Sequence, residues 1–236
     1  ITVSPTFDSG TACEGSIQTF TITVNPTAQV DDPADQVVCN GDTTTVAFTT
    51  QNTVGTTTYA WSSDIEIGAG LTGDGDMSFT AVNDTTAPIT GTITVTPTFD
   101  NDGVQCTGPS QDFTITVNPS AQVDDPADVV YCNGDETTEV VFTTQNTDGT
   151  TTYSWTNDDT SIGLAASGDG NLPVFTATNA GTAPVIATIT VTPTYENDGV
   201  SCSGEDQTFT ITVNPSAQVD DPVDQIVCNG ENTVVN

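Results

Sequence analysis

The chain has 236 residues, with 32 Asp plus Glu and no Lys, Arg or His, for a formal net charge of -32. No basic side chain exists to neutralise nucleic-acid phosphates or hold an anionic membrane surface, and none to form a Schiff base or act as an imidazole base or zinc ligand. Nucleic-acid binding through the backbone and most catalytic machinery are excluded, and with no long apolar run direct membrane insertion is excluded as well.

Hydrophobic residues make up only 34% of the chain, a level at which a highly charged sequence is often disordered. The order of the residues argues against disorder. In the first 26 residues, Phe20, Ile22 and Val24 alternate with Thr21 and Thr23, the period-two pattern of a half-buried strand. From there the alternation recurs. Val46 and Phe48 mark one strand, Tyr59 and Trp61 flank Ala60 in the next, and Phe79 and Ala81 mark a third. Ile93 and Val95 sit among threonines, and Phe113, Ile115 and Val117 close the set. Turn signals separate these strands: Asn40-Gly41-Asp42 precedes the Val46 strand, and Asp100 to Gly103 separates the last two. Val140, then Tyr153 with Trp155, Ile189 with Val191, the Glu196 to Gly199 turn, and Phe209, Ile211 and Val213 repeat the order. Thr fills the outward positions, where a β-branched polar residue suits a solvated pleat.

The repetition is literal in places. Thr114 to Pro126 recurs letter for letter at Thr210 to Pro222, and Thr21 to Pro33 differs from both by one residue, Thr27. Pro26, Pro119 and Pro215 give a period of 93 and then 96, and Trp61 and Trp155 are 94 apart. A unit of that length is one independently folding domain and too long for a solenoid repeat. The chain therefore reads as the C-terminal strands of a preceding unit (1–26), two whole units (27–119 and 120–215) and the N-terminal part of a following one (216–236). No signal peptide is visible at Ile1, where the first residues already read as a strand, and the chain is expected to be an excerpt from the interior of a longer protein. Short alternating strands, a Trp in the strand after the Val46 strand and units of this size predict an all-β array of tandem immunoglobulin-like sandwiches.

The block Val38 to Asp42, the Tyr-x-Trp strand Tyr59 to Trp61, the Cys-x-Gly loop Cys106 to Gly108 and the closing strand Phe113 to Pro119 resemble a known class. They are similar to the PKD-like and immunoglobulin-like tandem repeats of giant cell-surface adhesins of Gram-negative gliding bacteria, exported by the type IX secretion system. The resemblance implies an extracellular, bacterial cell-surface location and a non-catalytic spacer role in adhesion and gliding motility. It also implies O-glycosylation at Asp-Thr sites, with Thr43 and Thr85 as candidates.

Six cysteines at regular places point to an oxidising compartment and structural disulfides. Within-unit pairing, Cys39–Cys106 and Cys132–Cys202, is preferred because each unit would then carry its own staple; Cys13 and Cys228 would bond outside the sequence. The other pairings are Cys39 to Cys202 across the junction of two units, and pairing at the constant 26-residue spacing seen from Cys13 to Cys39. In a plain sandwich the first turn and the last hairpin lie at opposite poles, so within-unit pairing requires a short or displaced first strand.

With no His, a metal site must use oxygen ligands, which selects Ca²⁺. The candidates lie just after each closing strand: Asp31, Asp32 and Asp35; Asp124, Asp125 and Asp128; Asp220, Asp221 and Asp224. Further acidic groups are Asp100, Asp102, Glu196 and Asp198 in the hairpin turns, and Asp74, Asp76 and Asp169 in the Gly-Asp-Gly region. The alternative is solvated carboxylates that collect diffuse counterions. Paired carboxylates that recur in every unit on short loops read as turn residues, and no enzyme is expected. Tyr59, Trp61, Tyr153 and Trp155 are either core residues or a carbohydrate platform.

Three readings follow: a disulfide-stapled acidic stalk, whose partners are the neighbouring identical repeats; a glycan- or protein-binding module; and a subunit of a self-assembled, calcium-stabilised filament of several copies.

Overall fold

Alternation of Thr with Phe, Ile and Val gives each segment one apolar and one hydroxylated face, and the apolar faces are buried only by stacking one sheet on another. The computed structural model describes residues 1–232 and Val234, so residues 233, 235 and 236 at the end of the 216–236 segment lie outside the described residues. The chain divides into two compact units: Ile1–Asp84 with Ile89–Asn118, and Thr85–Pro88 with Pro119 onward.

In the leading segment, β1 (Thr2–Val3) pairs with β4 (Gln18–Thr19), and β2 (Thr6–Asp8) with β3 (Ala12–Glu14). The first full sandwich follows with β5 (Gln36–Cys39), β6 (Thr43–Val46), β7 (Thr56–Ser63), β8 (Thr72–Asp74), β9 (Met77–Thr80), β10 (Ile89–Asn101), β11 (Val104–Thr107) and β12 (Gln111–Asn118). Its larger sheet has the order β5-β12-β10-β7-β8, with β11 also on β10, and β6 pairs with β9 in the facing layer. The second unit repeats this with β13 (Val129–Cys132), β14 (Thr150–Asn157), β15 (Ser167–Asp169), β16 (Val185–Asn197), β17 (Val200–Ser203) and β18 (Gln207–Asn214), in the order β13-β18-β16-β14-β15. Its facing layer is held by the bridges Glu136 to Thr176 and Val140 to Leu172. These are tandem immunoglobulin-like β-sandwiches. A short 3₁₀ turn, Thr160–Ile162, is the one helical element among the described residues.

The predicted Trp strand is the centre of each core. Trp61 lies opposite Val95 and Trp155 opposite Val191 in the β7–β10 and β14–β16 registers. Ile93, Val95, Phe113, Ile115 and Val117 surround Trp61, and Ile189, Val191, Phe209, Ile211 and Val213 surround Trp155, all buried. Each indole ring lies flat against a glycine of the next strand. A Cβ on Gly73 would overlap the Trp61 ring, and one on Gly168 the Trp155 ring. Small residues at this one position let the edge strand close over the tryptophan.

The first strand is displaced. Strand β5 runs parallel to β12, with Cys39 opposite Asn118, and β13 runs parallel to β18, with Cys132 opposite Asn214. The chain leaves each unit from this end, the trailing pole. Strand β11 folds back on the far end of β10, with Cys106 opposite Phe99, and Cys202 lies opposite Tyr195 in the same way. This is the leading pole, where the chain enters. The backbone carbonyl of Ala28 packs against Gly108, and that of Ala121 against Gly204, so closely that a Cβ on either glycine would strike it. The Cys-x-Gly signature is thus a close backbone approach.

Candidate functional site

The residues that sequence reasoning singled out fall into four groups, and each unit places them alike. The carboxylate of Asp31 accepts hydrogen bonds from Thr49 Oγ1 at 2.7 Å and Gln51 Nε2 at 3.0 Å. Asp124 does the same with Thr143 at 2.6 Å and Gln145 at 3.0 Å. These bonds hold both carboxyls below the usual Asp range. Asp35 accepts from the Thr114 amide at 2.6 Å and Asp128 from the Thr210 amide at 2.7 Å, which lowers their pKa as well. Asp32, Asp125, Asp220, Asp221 and Asp224 are exposed. Among the described residues, no three acidic or cysteine side chains converge as a metal-holding group.

The other acids are turn and edge residues. Asp100 accepts from the Gly103 amide at 3.1 Å and Gln105 Nε2 at 3.2 Å. Asp102 and Asp198 take the left-handed turn position, at φ 52 and 49. Asp76 caps the Phe48 amide at 2.9 Å, a role that Asn171 takes for Phe142 at 3.1 Å. Asp74 and Asp169 lie opposite Ala60 and Ser154 at the sheet edge, while Glu196 lies opposite Thr150. The edge grooves there, about 710 Å³ beside Asp74 and about 580 Å³ beside Asp169, are open and lined by threonines together with Tyr59 in the first and Tyr153 in the second.

The tryptophans belong to the core, and the two tyrosines lie between the core and the edge grooves. Trp61 and Trp155 are buried, and neither indole N–H has a hydrogen-bond partner. Tyr59 and Tyr153 are half-buried against Phe48 and Phe142, with ring centroids 5.5 and 5.6 Å apart. Thr43 and Thr85 are exposed, and the Thr85 hydroxyl donates to the Ala87 carbonyl at 2.8 Å.

The structure holds Cys39 and Cys202 in disulfide form and leaves Cys13, Cys106, Cys132 and Cys228 as thiols. The preferred within-unit pairing, Cys39–Cys106 and Cys132–Cys202, is therefore corrected. Its physical obstacle is the pole geometry: the span of β10 from Ile89 to Phe99 separates the two cysteines of a unit, roughly 30 Å at about 3.3 Å per residue. A disulfide needs Cα atoms within about 7 Å. Displacing the first strand onto β12 moves Cys39 sideways across the sheet without shortening that distance.

Sequence reasoning missed an asparagine latch at the trailing pole. The Asn40 side chain accepts from the Asn83 amide at 2.9 Å, and Asn83 Nδ2 donates to the Val117 carbonyl at 2.7 Å. Asn133, Asn179 and Val213 repeat this at 2.8 and 2.7 Å, with a further bond from Asn179 to the Ala183 carbonyl at 2.9 Å. The signal was present: a neutral amide recurs in both units two residues after a buried alanine of the facing strand, Ala81 or Ala177. Gly41 and Gly134 donate to those alanines' carbonyls at 2.8 Å, so the Asn-Gly-Asp block is the other half of the latch.

No family model matches this chain, and neither does any curated protein. Solved structures of tandem immunoglobulin and cadherin domains are similar to it in fold. A three-domain immunoglobulin fragment of titin is 14% identical over 80% of this chain and 67% of that one, with a TM-score of 0.41. Four extracellular repeats of Drosophila N-cadherin are 16% identical over 82% and 50%, at 0.41, and three repeats of mouse cadherin-23 are 15% identical over 91% and 74%, at 0.38. The chain thus spans half the length of the N-cadherin fragment.

Proposed function

We propose that this chain is a segment of a non-catalytic structural stalk that holds an adhesive tip away from a bacterial cell surface. The giant gliding adhesins that its sequence resembles are the model for this reading, with export by type IX secretion. One observation carries the reading: the residues that recur between the units are engaged inside their own sandwich. Trp61 and Trp155 fill cores, Asp35 and Asp128 tie the linker to the closing strand, and the paired asparagines latch the trailing pole. Repetition preserves the scaffold, together with an open edge groove at Tyr59 and Asp74 that recurs at Tyr153 and Asp169.

The disulfide form of Cys39 and Cys202 supports an oxidising, extracellular setting. The missing Lys and Arg leave trypsin-like proteases no cleavage site, and a charge of -32 keeps neighbouring filaments apart. The exposed linker carboxylates act as diffuse counterion collectors. Binding of the fluorescently tagged chain to a glycan array and to a panel of surface proteins tests the reading. The stalk predicts no saturable binding; a ligand whose affinity falls on mutating the loop residues would replace it with the binding-module reading.

A further inference from the structure

The block Cys-Asn-Gly occurs three times, at Cys39 to Gly41, Cys132 to Gly134 and Cys228 to Gly230, followed each time by an acid. All three copies fold into the same turn. Gly41, Gly134 and Gly230 take the left-handed conformation at φ 88, 93 and 95. The amide of the acid donates to the cysteine carbonyl at 3.1, 3.1 and 3.2 Å, and its carboxylate accepts from the cysteine amide at 3.3, 2.8 and 3.3 Å. What differs is the latch. Gly41 and Gly134 donate to the Ala81 and Ala177 carbonyls at 2.8 Å, and the Asn40 and Asn133 amides donate to Asn118 and Asn214 at 2.9 Å. Asn229 is exposed, and no facing-strand carbonyl receives the Gly230 amide among the described residues.

An Asn followed by Gly has a reaction of its own. Glycine carries no Cβ, so its backbone nitrogen is the least hindered amide that can approach the side-chain carbon of the residue before it. That nitrogen gives up its proton and bonds to the Asn Cγ; the Cγ–Nδ2 bond breaks, and ammonia leaves with the proton. Water then opens the five-membered imide at one of its two carbonyls. Breaking the N–Cγ bond gives Asp. Breaking the bond to the backbone carbonyl gives an isoaspartyl link, with the main chain rerouted through the former side chain. The latch holds the nucleophile off. The N–H of Gly41 or Gly134 points at an alanine carbonyl of the facing strand, so the nitrogen cannot turn toward Cγ without breaking that bond. The amides of Asn83 and Asn179 hold the Asn40 and Asn133 side-chain oxygens at 2.9 and 2.8 Å, so Cγ cannot swing to meet it.

We propose that Asn40 and Asn133 are modification sites gated by unfolding: closed to imide formation while the unit is latched, and converted to Asp and isoaspartate once the trailing pole opens. Either product adds one negative charge. The isoaspartyl product also lengthens the backbone by one carbon at the turn and moves the oxygen that accepts from Asn83 or Asn179, so a unit modified while open relatches poorly. Tension opens the units of a stalk, and the product then accumulates with each opening. That consequence rests on the stalk reading, whereas the gating is read from reaction rates alone.

The test incubates the full chain in mildly alkaline buffer, with and without urea. Conversion at each Asn is followed by mass spectrometry of acid-specific digests, with Asn229 as the internal reference. In buffer, Asn40 and Asn133 are expected to convert at least about tenfold more slowly than Asn229, a factor set by how rarely the latch opens. In urea the three rates are expected to converge. Asn179→Ala removes the side-chain bond to the Val213 carbonyl and is expected to speed conversion of Asn133 severalfold while Asn40 keeps its wild-type rate; circular dichroism shows whether the variant is folded or open, and either state releases Asn133. Conversion of Asn40 and Asn133 at the Asn229 rate in buffer, or their failure to reach it in urea, would overturn the proposal, as would a wild-type Asn133 rate in Asn179→Ala. Saturable ligand binding would displace the stalk reading and leave these rates unchanged.

Discussion

The backbone amide of Thr114 donates to the carboxylate of Asp35 at 2.6 Å, across 79 residues of sequence. Asp35 belongs to the acidic linker that opens the unit, and Thr114 to the strand that closes it. The same bond joins Thr210 to Asp128 at 2.7 Å. A linker that looks like a metal-binding run is thus a clamp between the two ends of one domain.

This clamp has a pH signature. The folded-state pKa of Asp35 and Asp128 lies below the ordinary value because of the backbone and hydroxyl bonds from Thr114 and Thr210. The stability they contribute is present above the unfolded carboxylate pKa and is lost as pH falls through the lower folded value. General repulsion among carboxylates works in the opposite direction, so the comparison must be with a variant. The wild-type chain is expected to be more stable than the Asp35→Asn, Asp128→Asn double variant at about pH 6, with the difference vanishing toward about pH 2. Urea unfolding at fixed moderate salt measures it.

The asparagine latch is expected to matter more to stability than any exposed acid. Asn179 is 3% exposed and satisfies the Val213 and Ala183 carbonyls. Asn179→Ala strands both, and a loss of about 1–3 kcal/mol is expected in chemical denaturation of the second unit.

Gly168 offers a cleaner test of packing. A methyl group there meets the Trp155 ring, so either the buried ring or the edge strand β15 must shift. Gly168→Ala is expected to destabilise by about 1–3 kcal/mol. Tryptophan fluorescence of a chain carrying Trp61→Phe, so that Trp155 reports alone, follows the change.

Tyr195 distinguishes the two units. Its buried hydroxyl donates to the Thr147 carbonyl at 2.9 Å, where the first unit has Phe99. Burial, reinforced by the charges of Asp148 and Asp198, raises its pKa. Its stability contribution is therefore present below the unfolded tyrosine pKa of about 10 and is lost as pH rises through the folded value. Tyr195→Phe should cost about 1 kcal/mol at neutral pH and remove that alkaline loss.

Calcium provides a fifth test. Asp31 and Asp124 are committed to Thr and Gln partners, and the exposed acids do not converge among the described residues. Isothermal titration at moderate salt is expected to show no saturable heat; a stoichiometric binding curve lost on mutating Asp32 or Asp125 would contradict this.

Much of the fold was legible because strand burial is written in local alternation, but Phe20, Ile22 and Val24 alternate in the same way and are exposed outside any strand, because the leading segment lacks the sheet that such a strand packs into. Phe113, Ile115 and Val117 are buried where their period-two spacing placed them. The Trp strand and the Asp100 to Gly103 turn also lie where local residues put them. The cysteine pairing was not legible in the same way. The opposite poles of the first turn and the last hairpin were legible, but how far the first strand is displaced was not, because that follows from the parallel pairing of β5 with β12, a contact between segments far apart in sequence. The clamp in the acidic linker was hidden for a related reason: Asp35 and its partner Thr114 are joined only in the folded sheet. Asn83 and Asn179 gave a local signal, a repeated buried amide, but amides carry no chemistry that composition alone would mark.

The central claim is that each block of about 95 residues is an autonomous sandwich and a passive link in a chain. Stretching single molecules from their termini under reducing conditions tests it most directly. Two discrete unfolding events are predicted, each releasing roughly 300 Å of chain at about 3.6 Å per residue. A single event releasing both units together, or a gradual extension without discrete events, would contradict the account.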